Sequence, residues 1–316
     1  MAKERSPVAD YAVYLAVRWL VTVIQALPER IAYGLARCLA AFVYRIDRRH
    51  RLVARENLQR AFPERFAEPL SPTRAAQLDR IVRGVYEHFC GLLVEIVRLP
   101  RTIHVHNRGD LLKLSGAKPI IDGLLAGRSF MIVTGHLGNW ELAGYALGLI
   151  GYQTYAVART LDNPYLDAYL RSFREGTGQR VLAKKGDFDQ MTAVLQQGGA
   201  LATLADQDAG PRGVFVNFFG RPASTHKAIA LMALEFQVPL VVCGIPKVRW
   251  PRQYECMVTD VIDPSEYAGQ RDAVTAITQR YTTALEAIIR QYPEQYFWLH
   301  RRWKSQPIVG AKRQAA

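Results

Sequence analysis

The spacing of apolar residues changes near residue 100. Upstream, apolar positions recur at helical intervals. Residues 8–27 are almost continuously apolar, and Pro28 opens a second helix from Glu29 to about Ile46. A further helical stretch follows until Phe62-Pro63 stops it. Ser71-Pro72 then supplies a serine cap and a proline in the first helical position, and that helix runs to about Leu99. Downstream, short apolar runs alternate with helical patterns. Strands are expected at 103–106, 129–134, 153–158, 180–182, 200–205, 214–218, 239–245 and 254–261, and helices at 120–126, 140–150, 164–176, 188–197, 225–236 and 273–291. Such alternation predicts an α/β fold with a mixed, largely parallel central sheet flanked by helices.

The segment 8–27 is long enough to span a bilayer, which takes about 20 residues. Asp10 and Arg18 interrupt it, and no small-residue cleavage site of a signal peptide follows cleanly. Arg18 near the middle makes a full span cost roughly 2.5–3.5 kcal/mol. A helix lying in the interface, with Arg18 reaching toward headgroups, meets the same pattern. So does a packed amphipathic helix of a soluble protein. The next stretch tips the balance toward a membrane. Arg45, Arg48, Arg49, Arg51, Arg55 and Arg60 face only Asp47 and Glu56, with Leu52, Val53, Leu58 and Phe62 interleaved. Positions 45, 48, 52 and 55 share a helical face, three of them arginine. The organisation expected is an N-terminal helical membrane-associating region (1–99), an α/β domain (100–305) and a flexible tail (306–316).

Charge extends this picture. A net +13 over 316 residues implies an acidic partner: nucleic acid, an anionic membrane face or an acidic protein. The four cysteines, Cys38, Cys90, Cys243 and Cys256, form no Cys-x-x-Cys pair. They indicate neither a zinc site nor a disulfide framework, and suit a reducing compartment.

The candidate chemistry centres on Thr134-Gly135-His136-Leu137-Gly138-Asn139-Trp140-Glu141, set between the apolar runs 130–133 and 142–147. This reads as strand, glycine-rich turn and helix. His136 ends the strand, where open α/β sheets place their sites. Glu141, in the first helical turn, can meet the imidazole, fix its tautomer and make it a general base. Gly135 and Gly138 permit a ligand to approach the backbone, and amides near Gly138 and Asn139 can polarise a carbonyl oxygen. A purely structural histidine is the plain alternative.

Other strand ends carry polar groups. Arg159 suits a phosphate or an oxyanion, or a surface pair with Asp162. Asn163-Pro164 reads as a turn and helix start. Asp206-Gln207-Asp208 suits orientation of Arg159 or of acceptor hydroxyls, with no histidine set to match a metal. Phe218-Phe219-Gly220 suits the lining of an apolar groove or plain core. His104 and His106 share a strand face as possible metal ligands, though surface histidines are the simpler reading. Lys184-Lys185, Arg171 and Arg174 face phosphates or solvent. The closing run of indoles and cations, residues 298–304, suits a membrane interface.

These pieces resemble, in order, the lipid A late acyltransferases, the lauroyl and myristoyl transferases within the glycerolipid acyltransferase superfamily. Gly135 to Glu141 is similar to that family's Gly-His-x-Gly-Asn-Trp-Glu block. Asn57-Leu58…Phe62-Pro63, Arg159…Asn163-Pro164, Asp206-Gln207, Phe218-Phe219-Gly220…Ala223-Ser224-Thr225 and Trp298-x-His300-Arg301-Arg302-Trp303-Lys304 resemble its other blocks, so the likeness covers nearly the whole chain.

The resemblance implies a membrane-associated enzyme at the cytoplasmic face of a bacterial inner membrane. It would move an acyl chain from an acyl carrier protein thioester, or an acyl-CoA, to a hydroxyl of a lipid A precursor or related glycolipid. His136 and Glu141 are then expected to be catalytic. Asn139, Arg159, Asn163, Asp206 and Gln207 are expected to bind substrate. No cofactor, metal or nucleic acid is expected, and the enzyme is expected to be a monomer. The chain has no Gly-x-Ser-x-Gly elbow and no cysteine beside His136, which favours direct transfer over a covalent acyl-enzyme and argues against an esterase. Competing readings are a lysophospholipid or other lipid acceptor and, from a different class, a basic nucleic-acid-binding protein, which leaves His136 unexplained.

Overall fold

The computed structural model describes residues 6–307 except 115, 185, 250 and 251. The tail expected to be flexible lies, from residue 308 onward, outside the described residues, as does Lys185. The chain opens with helices α1 (Pro7–Ala26), α2 (Glu29–Ile46), α3 (Arg48–Ala61), the single turn α4 (Pro63–Phe66) and the long α5 (Pro72–Thr102). Ser6 and Ser71 cap α1 and α5 by accepting the amides of Ala9 and Arg74, each with proline in the first turn.

The second half runs α6 (Arg108–Leu111), β1 (Leu112–Lys113), α7 (Lys118–Leu125), β2 (Phe130–Thr134), α8 (Trp140–Leu149), β3 (Thr154–Ala158), α9 (Pro164–Glu175), β4 (Gln179–Ala183), α10 (Phe188–Gln196), β5 (Ala200–Leu204). It continues with β6 (Val214–Phe218), β7 (Arg221–Thr225), α11 (Ala228–Phe236), β8 (Leu240–Gly244), β9 (Lys247–Arg249), β10 (Gln253–Glu255), β11 (Met257–Ile262) and α12 (Ala273–Gln291).

The central sheet has the order β11-β8-β2-β5-β3-β4. Its strands are parallel except β11, which runs antiparallel to β8. The fold is thus α/β, with a largely parallel sheet between helices. Two smaller sheets, β1-β10-β9 and the hairpin β6-β7, stand beside it.

Some expectations change. Residues 103–106 are not a strand: Ile103 caps α5, Asn107 Oδ1 accepts the His104 amide (2.8 Å), and Asn107 Nδ2 donates to the Thr102 carbonyl (3.0 Å). The asparagine side chain thus takes the local backbone groups into a turn. The 254–261 strand divides into β10 and β11 at Cys256, whose amide donates to the Lys113 carbonyl. The helix expected from 225 starts at Ala228, because Thr225 pairs with Val214 in the hairpin. Strand β7 escaped detection because Pro222 sits in it, tolerated on an edge. Arg45 and Arg48 do not share a face, since the helix breaks at Asp47, whose carboxylate caps α3 through the His50 amide.

The core continues across residue 100. Leu58, Phe62, Phe66, Val82 and Val85 pack in one cluster with Phe218, Phe219, Ile288 and Trp298. Burying each such side chain contributes about 1.5–3 kcal/mol. Helix α2 turns its small residues Ala32, Ala36 and Ala40 inward. Its outward stripe is Ile31, Leu35, Leu39, Phe42 and Ile46, each about half exposed or more. Helix α1 likewise leaves Val8, Leu15, Trp19 and Leu20 exposed.

Candidate active site

Strands β2 and β5 run in parallel register from Phe130↔Ala200 to Thr134↔Leu204, and the Ala205 amide extends the pairing to the Thr134 carbonyl (2.8 Å). Two residues past the strand ends, the same register brings His136 beside Asp206. The His136 amide donates to Asp206 Oδ2 (2.9 Å), and His136 Nδ1 lies 2.8 Å from Oδ1. An ionised carboxylate only accepts, so the proton sits on Nδ1 and Nε2 is left as a base. Burial opposes charging the ring. The carboxylates of Asp206 and, through space, Glu141 outweigh burial and hold the imidazole above its ordinary value. Asp206 is buried, and although burial favours its acid form, His136 keeps it below the usual carboxylate range.

The tautomer is therefore set by Asp206, where Glu141 was expected. Glu141 instead forms a two-point pair with Arg174 of α9, Nε to Oε2 at 2.9 Å and a second contact from the other guanidinium nitrogen to Oε1. The first turn of α8 meets α9 there, while the neighbouring strand delivers Asp206 to the ring. For Arg174, burial is outweighed by Glu141 and its pKa is raised.

The turn between His136 and α8 is held from several sides. Gly138 has φ +62°, and a Cβ there would lie 1.9 Å from the Ile245 carbonyl oxygen. A Cβ on Gly135 would lie 3.2 Å from Asp206 Cγ. Both glycines thus accommodate the protein itself, not a ligand. The Gly138 and Asn139 amides donate to the carbonyls of Gln295 (3.1 Å) and Ile245 (2.8 Å), so neither is free to bind an oxyanion. Asn139 caps α8 through the Leu142 amide (3.0 Å), and its Nδ2 donates to Glu95 Oε2 (3.3 Å). Glu95 is buried and also accepts from Tyr33, Lys247 and Tyr254. His88 Nε2 lies 3.2 Å from the Gly138 carbonyl. Burial, with Lys247 nearby, pushes His88 down to about 4. A neutral ring that meets a carbonyl donates from Nε2. The imidazole of His136 sits against Trp140 and Phe297, with Phe89 beyond both.

Other expected site residues divide. Arg159 ends β3 on the same sheet edge, but its exposed guanidinium pairs with Asp162 (3.1 Å). Asn163 is buried, and both ends of its side chain amide are bonded within the protein. Oδ1 caps α9 through Tyr165 and Leu166, and Nδ2 donates to the Asp10 carbonyl of α1 (2.9 Å). It braces α1 on α9, so its work in this structure is holding two helices together. Gln207 is half-buried beside Asp206. Phe218 and Phe219 are core, stacked among Phe62, Trp298 and Trp303. His104 and His106 stack on each other in the turn after α5. Arg171 pairs with Asp167.

The closing motif is not an interfacial belt. Trp298, Arg302 and Trp303 are 1%, 2% and 5% exposed. Arg302 donates to the Ser224 carbonyl and to Thr225 Oγ1. His300 Nε2 accepts the Asp208 amide (3.1 Å), and Asp208 takes the Ser305 amide and hydroxyl. Asn57 Nδ2 donates to the carbonyls of Trp298 and His300, both at 2.7 Å. These contacts brace the loop that carries Asp206. Sequence reasoning missed Glu95 and Lys247. The signal available was a lone glutamate inside an apolar stretch of α5, at a position the helical periodicity makes inward-facing.

A sequence profile described as bacterial lipid A biosynthesis acyltransferase matches residues 2–305. The lipid A biosynthesis lauroyltransferase of Escherichia coli K12 is 24% identical over 93% of this chain and 90% of its own length. The lipid A biosynthesis palmitoleoyltransferase of the same organism is 23% identical over the same shares, 93% and 90%. A phosphatidylinositol mannoside acyltransferase of Mycolicibacterium smegmatis is 27% identical over 89% of this chain and 88% of its own. With a profile match along nearly its full length and relatives that are themselves acyltransferases, the chain belongs to the bacterial lipid A biosynthesis acyltransferase family and is an acyltransferase.

Proposed function

We propose that the protein transfers a fatty acyl chain from an acyl carrier protein thioester to a sugar hydroxyl of a lipid A precursor or related glycolipid, with His136 as general base. The observation that carries this is the two-point hold of Asp206 on His136, through ring Nδ1 and backbone amide. Nε2 removes the proton of the acceptor hydroxyl as its oxygen attacks the thioester carbonyl. Asp206 stabilises the imidazolium that forms, and Glu141 adds to that field from its pair with Arg174. As the tetrahedral intermediate collapses, the carbon–sulfur bond breaks and the imidazolium returns its proton to the thiolate. Transfer is direct, within a ternary complex. An acyl-CoA presents the same thioester and is the second donor to test. Similarity to a phosphatidylinositol mannoside acyltransferase makes a mannoside lipid the second acceptor to test.

The enzyme works on the cytoplasmic face of the inner membrane as a monomer. Two features support attachment to a membrane: the exposed apolar helix α1, long enough to span, and the outward stripe of α2 beside the exposed basic residues Arg45, Arg48 and Arg49. The acidic carrier protein and an anionic leaflet both complement the net +13 charge. The experiment is lipid mass spectrometry of a host with and without the chain, paired with transfer assays on purified protein. One lipid should gain one acyl mass, and His136→Ala should remove that product while vesicle binding persists. Near-wild-type turnover in His136→Ala, or acyl groups trapped on the protein when acceptor is withheld, would overturn the mechanism.

A further inference from the structure

We propose that Lys184 and His226 form a phosphate-binding subsite, which holds a phosphate ester carried by one of the two substrates. This rests on the acyl-transfer reading above, since the ester belongs to a substrate of that reaction. Position comes first. The parallel strands β2, β5, β3 and β4 are neighbours and end together, by the pairs Thr134↔Leu204 and Ala158↔Ala183. The residues just past those ends are His136, Asp206, Arg159 and Lys184, and the Lys184 amide still donates to the Ala158 carbonyl (2.8 Å). Three strand spacings separate Lys184 from His136, roughly 14 Å. His226, which follows β7, reaches over the same edge, and its Nε2 is 3.1 Å from Lys184 Nζ.

The chemistry of that contact points to an anion. An ammonium donates to the neutral imidazole, which leaves two ammonium protons and ring Nδ1–H for a third party. Among the described residues no carboxylate forms an ion pair with Lys184. The carboxylates nearby are committed elsewhere: Asp187 to the Ala183 amide, Asp206 to His136, and Asp208 to Ser305 and Gly210. Burial, then Lys184 and Arg302, push His226 down to about 4, and burial lowers Lys184 as well. The His226 ring is therefore neutral beside the ammonium, and a phosphate placed against the pair would favour the charged form of both. A phosphate is richer in acceptor oxygens than a carboxylate and suits a lysine and an imidazole side by side. Two sources fit: the phosphate at the root of a carrier protein's pantetheine arm, and a phosphate on the glycolipid acceptor.

The test uses the full-length protein in detergent micelles. Steady-state transfer is measured for Lys184→Ala, His226→Ala and the conservative Lys184→Arg. The donor is supplied as acyl-phosphopantetheine and as acyl-pantetheine, and the acceptor with and without its phosphate. The expected result is a KM about tenfold or more higher for one phosphate-bearing substrate, with kcat within about twofold. The effect vanishes for the version of that substrate without phosphate and is largely rescued by Lys184→Arg. The substrate that shows it identifies the source. Equal KM changes with and without phosphate, or none for either substrate, overturn the subsite. A second readout is independent of turnover: titration of the wild-type protein and Lys184→Ala with phenyl phosphate, followed through the His226 ring resonances. A saturable shift lost in the variant supports the subsite even if no transfer to a glycolipid is found, which would instead defeat the functional reading. A shift absent from the wild type overturns it.

Discussion

Replacing Asp206 by asparagine tests the catalytic geometry most directly, because the substitution keeps shape and removes one acceptor. Asp206 accepts twice, from the His136 ring and from the His136 backbone amide. An asparagine has one oxygen for these two donors. If the oxygen stays on the backbone amide, the NH2 group faces Nδ1, the ring proton moves to Nε2 and the base is lost. If the oxygen turns to Nδ1, the NH2 group opposes the buried backbone N–H, and leaving that donor unmet costs about 1–3 kcal/mol. The competent arrangement is then disfavoured about 5- to 150-fold. Loss of the carboxylate that stabilises the imidazolium adds to this, for a total fall in kcat of about 10²–10⁴. The pH profile carries an independent signature. The neutral ring is the active form, and it is lost as pH falls through the imidazole pKa. The carboxylates hold that pKa above 6.5, so the acid limb of kcat/KM lies above pH 6.5 in the wild type. Without the Asp206 charge, burial prevails and the limb of the residual activity moves to lower pH. The assay is carrier-dependent acyl transfer from pH 5 to 9, with circular dichroism to confirm the fold. A folded Asp206→Asn enzyme with near-wild-type kcat and an unmoved limb would refute the reasoning.

Glu141→Gln leaves the His136–Asp206 contact in place, so transfer should fall by only about tenfold through loss of one distant charge. Its larger effect is on stability, about 3 kcal/mol in a denaturant melt, the low end for a buried pair because Arg174 keeps 17% of its side chain exposed; adding Arg174→Gln should restore part of it. A complete loss of turnover in folded Glu141→Gln alongside an active Asp206→Asn would reassign the dyad. Gly138→Ala should lower the denaturation midpoint, since left-handed backbone costs a non-glycine residue about 1–2 kcal/mol before the contact with Ile245 is counted. Charging the outward stripe with Leu35→Glu and Phe42→Glu should weaken sedimentation with anionic vesicles about 100-fold, from roughly 3 kcal/mol of lost apolar burial, and leave the melt unchanged.

Much of the scaffold was legible because its signals are local. Pro28, Phe62-Pro63 and Ser71-Pro72 mark where α2, α3 and α5 begin or end, and the strand before His136 shows as an apolar run. What stayed hidden depends on which elements become neighbours. Nothing within residues 130–141 says that β5 lies beside β2, so the five-residue spacing from His136 to Glu141 looked like a pair, while Asp206 reached the ring from the next strand. The same reason hid the work of Asn163 and of His300 and Arg302 in the closing motif. Their residue types suit a binding surface, yet their partners, α1 in one case and the β5 loop and hairpin in the other, are set by tertiary packing. The end of α2 near Ile46 was expected, but Asp47 was not read as the cap that separates Arg45 from the face of α3, because a capping carboxylate between arginines is hard to distinguish from a neutralised charge.

The bond from Asn57 to Trp298 and His300 spans 241 and 243 positions, and its consequence is temporal. Helices α1 to α3 leave the ribosome first and can settle at the bilayer while the rest is still unmade. The loop with Asp206 lacks its clasp until residues 298–300 emerge. Contacts of such high sequence separation slow folding, because the loop they close must be ordered before they reward it. If α1 and α2 hold the membrane as proposed, nascent chains arrested before residue 298 should be membrane-bound yet inactive, and competence should arrive only once residues 298–300 have emerged. On the membrane-bound reading proposed above, the anchoring helices are thus made well before the site is complete.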